Sequence, residues 1–175
     1  MQFPRKLHKK LVKRKENQAL RSLGVKNELI DFSSNDYLGF AKCETIFTKT
    51  HQFLVENNLK LNGATGSRLL SGNNNLYTDV EKQLSEFHNS EESLVFNSGY
   101  DANIGFFSSV PQRGDIILFD ELIHASIRDG IQLSNAKPYK FKHNDLENLE
   151  EQIIKQREKD NQDIYVVTES VFSMD

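Results

Sequence analysis

One cysteine, three prolines and no tryptophan stand in 175 residues. A single thiol, Cys43, excludes an intramolecular disulfide and a cysteine-based metal cluster, which leaves it the ordinary role of a small buried or half-buried side chain. No apolar run approaches the ~20 residues of a membrane span, and mean hydropathy is −0.58. The opening "MQFPRKLHKKLVKRK" lacks a signal peptide's apolar core. The expected location is cytoplasmic, with no membrane partner. A formal net charge of −3 provides no general attraction to nucleic acid. Also missing are G-x-x-x-x-G-K followed by Ser or Thr, G-x-G-x-x-G after a strand, H-E-x-x-H, and any Cys/His cluster. P-loop and dinucleotide readings are demoted accordingly, and no metal is expected.

What is present begins with local charge. Seven of the eleven residues from Arg5 to Lys15 are Lys or Arg, with Leu7, Leu11 and Val12 close to one helical face. Without interleaved aromatics this reads as a solvated helix packed by its leucines rather than a nucleic-acid arm. "ELIDFSSNDYLGF" predicts a short strand entering a polar turn. Ile46, Phe47, Thr50, Phe53 and Leu54 mark a helical stripe. The glycine-rich "NGATGSRLLSGNNN" breaks regular structure, and Leu76, Val80, Leu84 and Phe87 resume a helix from about Leu76 to His88.

From there the pattern alternates. "SLVF", "DIILF", "PYKFK" and "IYVVT" predict strands, with helices opened by "SGYDANIGFFSS", by "LIHASIRDGIQLS" and by a capping box of Asn144 with Glu147. The inner face of that last helix is expected to be Leu146, Leu149 and Ile153, and the polar stretch Arg157 to Asp163 reads as a helix-to-strand connection. Such alternation argues for an α/β fold, a mostly parallel sheet covered by helices.

Three polar clusters follow three of these strands: Asn97 to Tyr100, then Asp120, Glu121 and His124, then Glu169 to Asp175. In a parallel sheet such positions converge on one edge, where ligands bind. "FNSGYDAN" reads either as an ordinary capped turn or as an anion seat, with Ser98 as cap and Gly99 permitting close backbone approach. His124 stands beyond a strand among candidate ligands. His8, His51, His88 and His143 have no such support.

"DFSSNDYLGF", "GATGSRLLSG", "EKQLSEF", "FNSGYDANIG", "DELIHASIRDGIQLS", "FKHNDLENLE" and "VVTESVFSMD" together resemble the α-oxoamine synthases, pyridoxal-phosphate enzymes of the aspartate-aminotransferase fold. The resemblance implies pyridoxal 5'-phosphate as cofactor and a decarboxylative condensation of an amino acid with an acyl thioester. "SSNDYLG" with "GSRLLSGN" and "FNSGYDANIG" is most similar to the branch of biotin synthesis that joins L-alanine to pimeloyl-CoA or a pimeloyl carrier protein. The runner-up is the sister branch that uses glycine and acetyl-CoA. By the same resemblance Ser173 bonds the cofactor's phenolic oxygen, Gly99 and Tyr100 contact its phosphate, and His124 stacks over the pyridine ring. Arg21 meets the acyl substrate's carboxylate and Asn35 lies near the substrate. Active sites at the interface of a homodimer are also implied.

Members of this family carry their Schiff-base lysine, the aspartate at the pyridine nitrogen and a second histidine beyond the point where "VFSMD" matches. The expectation is therefore an N-terminal helical segment over residues 1–60 and the first half of the cofactor-binding large domain over 61–175, inactive alone. A truncated, non-catalytic paralogue that binds a partner, or an unrelated phosphate-binding α/β domain, are the other readings.

Overall fold

The computed structural model describes residues 3–24, 30–157 and 162–173. It divides into two compact units, Met1–Gly63 and Ala64–Asp175.

In the first unit, α1 runs over Arg5–Glu16 and α2 over Glu44–Glu56. Both helices form where the sequence predicts them, but no residue of either is buried, and Leu7, Val12, Ile46, Phe47 and Phe53 of the expected stripes are exposed. "ELIDF" forms no strand where it is described: Ile30 to Phe32 have no strand pairing, and Glu28 and Leu29 lie outside the described residues. Local hydrogen bonds organise this stretch instead. Asp31 Oδ1 accepts from the Ser33 N–H at 2.8 Å. Asp36 accepts from the N–H groups of Phe40 and Ala41 at 2.7 and 3.1 Å, and so opens a 3₁₀ turn, Phe40–Lys42, behind Gly39 in the left-handed region at φ 69°.

The second unit opens with a closed loop and then α3, Asn75–His88. Gly72 is buried, its N–H bonds the Ser67 carbonyl at 2.9 Å, and a Cβ there would stand 1.9 Å from the Gly66 oxygen. Only glycine fits this closure. Next come α4 (Gly99–Ser109), β1 (Ile116–Asp120), α5 (Ala125–Leu133), β2 (Lys137–Phe141), α6 (Leu146–Gln156) and β3 (Ile164–Val167).

The three strands pair in parallel in the order β2-β1-β3. Pleating sends alternate residues of β1 to opposite faces. Ile117 packs with Phe107, Ile127, Ile131 and Val167 on the side covered by α4 and α5. Ile116 and Leu118 pack with Phe141, against which Leu149 and Ile153 of α6 close the other side. Both faces are covered, as the alternation of strands and helices requires. The two helices on the first face approach closely at Gly130, where a Cβ would meet the Asn103 carbonyl at 2.8 Å and Phe107 Cβ at 3.0 Å.

Three expectations fail here. Leu146 is 77% exposed, and the N-cap of α6 is Asp145, whose side chain accepts from the Asn148 N–H. Asn144 stands instead at φ 52°, outside the extended backbone an N-cap adopts, and gives its N–H to Asp120, which denies it to Glu147. "SLVF" has no strand pairing, since a strand needs a neighbour and none of the described strands borders it. A side chain does the ladder's work. Glu81 Oε1 accepts from the Val95 N–H at 2.8 Å, the Glu81 carbonyl accepts from Ser93 Oγ at 2.5 Å, and Arg68 grips the same carboxylate in a two-pronged contact at 2.6 and 2.8 Å. Residues 158–161 of the Arg157 to Asp163 connection lie outside the described residues.

The Arg68 guanidinium and the Val95 N–H hold the Glu81 carboxyl at about 2, below the ordinary ~4.3 of a free glutamate. A carboxyl depressed on folding stabilises above its unfolded value and loses that contribution as pH falls toward its folded one. Comparing Glu81→Gln with wild type in urea titrations should show the largest gap in midpoint above pH 5 and a shrinking gap down to pH 2.5. A gap independent of pH would show that the charge on Glu81 contributes nothing.

Candidate functional site

The α4 N-terminus is built as the anion reading requires. Ser98 stands in extended backbone and its Oγ accepts from the Asp101 N–H at 3.0 Å. The Ala102 N–H bonds the Ser98 carbonyl. That leaves the N–H groups of Gly99 and Tyr100 without acceptors among the described residues, at the end of a helix where the dipole favours negative charge. Gly99 needs no unusual backbone angle, and a Cβ on it would meet nothing within 4 Å. Its bareness therefore serves nothing inside this unit, which fits the approach of an external group. Beside it opens a cleft of about 670 Å³ whose lining includes Gly66, Arg68, Tyr77, Phe96, Asn97 and Asp101.

His124 is the N-cap of α5. Its Nδ1 accepts from the Ser126 N–H at 3.2 Å and lies 2.8 Å from Ser126 Oγ. Ser126 is buried and its Oγ accepts from Asn103 Nδ2 of α4 at 2.8 Å. The His124 N–H donates to Glu169 Oε2 at 2.6 Å, which ties the turn after β1 to the segment after β3. The imidazole is thus held at one nitrogen while the residue stays exposed. A ring of fixed orientation with an open face suits stacking on a planar ligand.

Tyr100 reaches across from α4 to α5, donating its hydroxyl to Asp129 Oδ2 at 2.8 Å. That bond to a carboxylate, aided by burial, raises the tyrosine's pKa. Ser173 is exposed, and its hydroxyl has no partner among the described residues. Gly99, Tyr100, His124 and Ser173 all belong to the second unit. Arg21 and Asn35 belong to the first, where both are exposed. Arg21 shares a shallow depression with Arg14, Gln18 and Leu20, and the Asn35 carbonyl accepts from the Tyr37 N–H. Asp175 lies outside the described residues. Among the described residues no group of three or more His, Cys, Asp or Glu is arranged to hold a metal ion, and no helix is long and apolar enough to cross a membrane.

Sequence reasoning passed over His143. Its Nδ1 lies 2.9 and 3.0 Å from the two oxygens of Asp120, the last residue of β1. Burial alone would push the Asp120 carboxyl up, yet hydrogen bonds from the Leu122 N–H, His143 and the Asn144 N–H outweigh it and hold the carboxyl below its ordinary value. The signal was available: His143 follows "PYKFK" as His124 follows "DIILF", and both positions fall at the same sheet edge.

The description "Aminotransferase class I and II" matches residues 27–175. The chain belongs to that family. Within it the chain falls in the pyridoxal-phosphate-dependent α-oxoamine synthase group. A relative from Methanococcus vannielii named "Putative 8-amino-7-oxononanoate synthase" is 44% identical over 174 residues, covering 99% of this chain and 45% of its own. A serine palmitoyltransferase from S. paucimobilis, solved with bound PLP, aligns at TM-score 0.70 and 32% identity over 79% of this chain and 33% of its own. The 8-amino-7-oxononanoate synthase of Francisella tularensis aligns at TM-score 0.61 and 27% identity over 84% of this chain and 38% of its own. The chain thus spans less than half the length of these relatives, and its α/β sheet is part of the aminotransferase fold. The residues present fit the cofactor of this family: two free N–H groups at a bare glycine for a phosphate, a fixed and open imidazole for a ring, and an unengaged hydroxyl.

Proposed function

We propose that this chain is the N-terminal segment, residues 1–60, and the first half of the large domain, residues 61–175, of an enzyme that condenses L-alanine with a pimeloyl thioester to 8-amino-7-oxononanoate, releasing carbon dioxide and the thiol carrier. The thioester is pimeloyl-CoA or a pimeloyl carrier protein. The observation that carries the reading is α4: the Gly99 and Tyr100 N–H groups at its N-terminus have no acceptor among the described residues, and its Asn103 bonds Ser126, the residue that orients the His124 ring. The relatives' names support the choice of reaction.

Bound pyridoxal phosphate supplies an electron sink for the carbanion formed at the amino acid's α-carbon. Gly99 and Tyr100 hold its phosphate through main-chain N–H groups. His124, its imidazole oriented by the Ser126 contact, would stack on its ring, and Ser173 would donate to its phenolic oxygen. Arg21 receives the carboxylate at the far end of the acyl chain, which a guanidinium binds in two parallel hydrogen bonds, and Asn35 lies near the substrate. None of these residues moves the α-proton. That task falls to the family's lysine, which none of the lysines here matches.

The full-length protein is a homodimer on this reading, with the basic, amphipathic α1 as an arm toward the partner. A stable, active monomer in sedimentation at assay concentration would remove that claim.

In the full-length protein His124→Ala should lower turnover with alanine and pimeloyl-CoA at least tenfold while lowering stability by no more than the loss of a helix cap, about 1 kcal/mol, because His124 is otherwise exposed and its backbone bond to Glu169 survives the change. Unaltered turnover would mean that the ring does not stack. A second arm with glycine and acetyl-CoA separates the sister reaction of the same group, since preference for that pair would displace alanine and pimeloyl thioester.

Residues 1–175 alone should not catalyse the condensation. The chain then has no positioned amine to attach the cofactor or remove the α-proton, and weak non-covalent affinity through Gly99, Tyr100, His124 and Ser173 is all that remains. Thiol release is followed after adding pyridoxal phosphate, L-alanine and pimeloyl-CoA to the purified chain. Sustained, alanine-dependent release, with host enzyme excluded, would contradict the assignment.

A further inference from the structure

The segment after β3 carries Ser173 but few bonds of its own. Two clamps hold it. Near its start Glu169 accepts the His124 N–H at 2.6 Å. Near its end Phe172 packs against the core cluster around Ile117 and Val167 and meets the His143 ring edge-on, centroids 4.6 Å apart and planes at 87°. Ser170 and Val171 between them are exposed. The first clamp leads to the turn after β1 and the second to the turn after β2.

His143 is a well-fixed post for that second clamp. Its Nδ1 faces both oxygens of the Asp120 carboxylate, which can only accept, so Nδ1 carries the proton. Nε2 is then an acceptor, and Asn144 Nδ2 stands 3.0 Å from it. The His143 N–H adds a bond to Glu121 Oε1 at 3.3 Å. Asp120 is only 1% exposed, and it also takes the N–H groups of Leu122 at 2.8 Å and Asn144 at 3.1 Å. A ring bonded at both nitrogens cannot rotate without taking one donor from a buried carboxylate.

We propose that Asp120 and His143 are positioning residues for the proposed cofactor site: the buried carboxylate locks the imidazole, the imidazole edge locks Phe172, and Phe172 sets the hydroxyl of the adjoining Ser173. The proposal rests on the reading of Ser173 as a contact to the cofactor's phenolic oxygen. A buried Asp–His pair with only a structural role would alter stability and leave the cofactor's surroundings alone. A positioning role couples His143 to Ser173 through Phe172, which packs against the His143 ring and adjoins Ser173 in the chain.

The test uses the full-length protein and reads the absorption band of bound pyridoxal phosphate and its dissociation constant, beside the urea midpoint. Ser173→Ala should shift the band and weaken binding about three- to tenfold, the worth of one hydrogen bond. His143→Ala should shift the band in the same direction and weaken binding to a similar degree. The double variant should bind within about a factor of two of Ser173→Ala, since the two changes remove one interaction. His143→Asn keeps a donor toward Asp120 and loses the ring against Phe172 together with the exposed contact to Asn144, so it should fold where His143→Ala fails and still show the altered band. A wild-type band in both His143 variants, or effects that multiply in the double variant, would overturn the positioning role while leaving Ser173 in place. An unaltered band and affinity in Ser173→Ala would overturn the reading of Ser173, and the positioning role with it.

Discussion

A carboxylate shut away from water at the end of a central strand has few tolerable states. Asp120 must either be protonated or be surrounded by donors, and this chain surrounds it. Two of its donors are main-chain N–H groups, from the turns that follow β1 and β2, and the third is His143. Satisfying one side chain therefore folds two connections at once. A second buried acid, Asp115, plays the matching part just before β1, taking the N–H groups of Gln112 and Asp163. The strand is bracketed by charge at both ends, so neither its register nor the departure points of its loops can slip by a residue without leaving a buried carboxylate short of donors.

Much of this was legible in local sequence. α5 follows apolar spacing, and β1 and β3 follow β-branched and aromatic runs, because burial on one face or both selects those residues; α3 forms on the same spacing although none of its residues is buried. Ser98 caps α4 as its position before "GYDAN" implied, since a cap is a matter of three adjacent residues. "SLVF" was misread because strand composition describes a segment that can pair, while pairing depends on a neighbour that composition does not name. The start of α6 was misplaced by one residue for a related reason: Asn144 suits a cap as well as Asp145 does, and only the distant claim of Asp120 on the Asn144 N–H decides between them.

The candidate site divides along the same line. Gly99, Tyr100 and His124 could be selected from strand-and-turn spacing, although their link runs through α4 and α5 by way of Asn103, Ser126 and Asp129 rather than through adjoining strand ends. The Glu169 contact to His124 spans 45 residues, and the His143 contact to Asp120 spans 23. Neither separation leaves a trace in composition or period. Arg21 and Asn35 were chosen by resemblance alone, and nearby Asp36, in the same "SSNDYLG", turns out to hold its own turn together.

β2 has two unlike sides. Lys137 directs its N–H inward to the Asp115 carbonyl, so in a pleated strand the next residue, Pro138, faces outward at the place where a donor would be. Proline has none to give. Lys137 and Lys140, both exposed, add charge along the same border, which discourages association. β3 carries no proline on its outer side, and its Ile164–Val167 backbone keeps every donor. The sheet is consequently polarised across its width: the β2 margin lacks a donor at Pro138 and carries two lysines, while the β3 margin keeps its donors. Growth of this sheet, whether in proper assembly or in errant aggregation, is favoured from the β3 side.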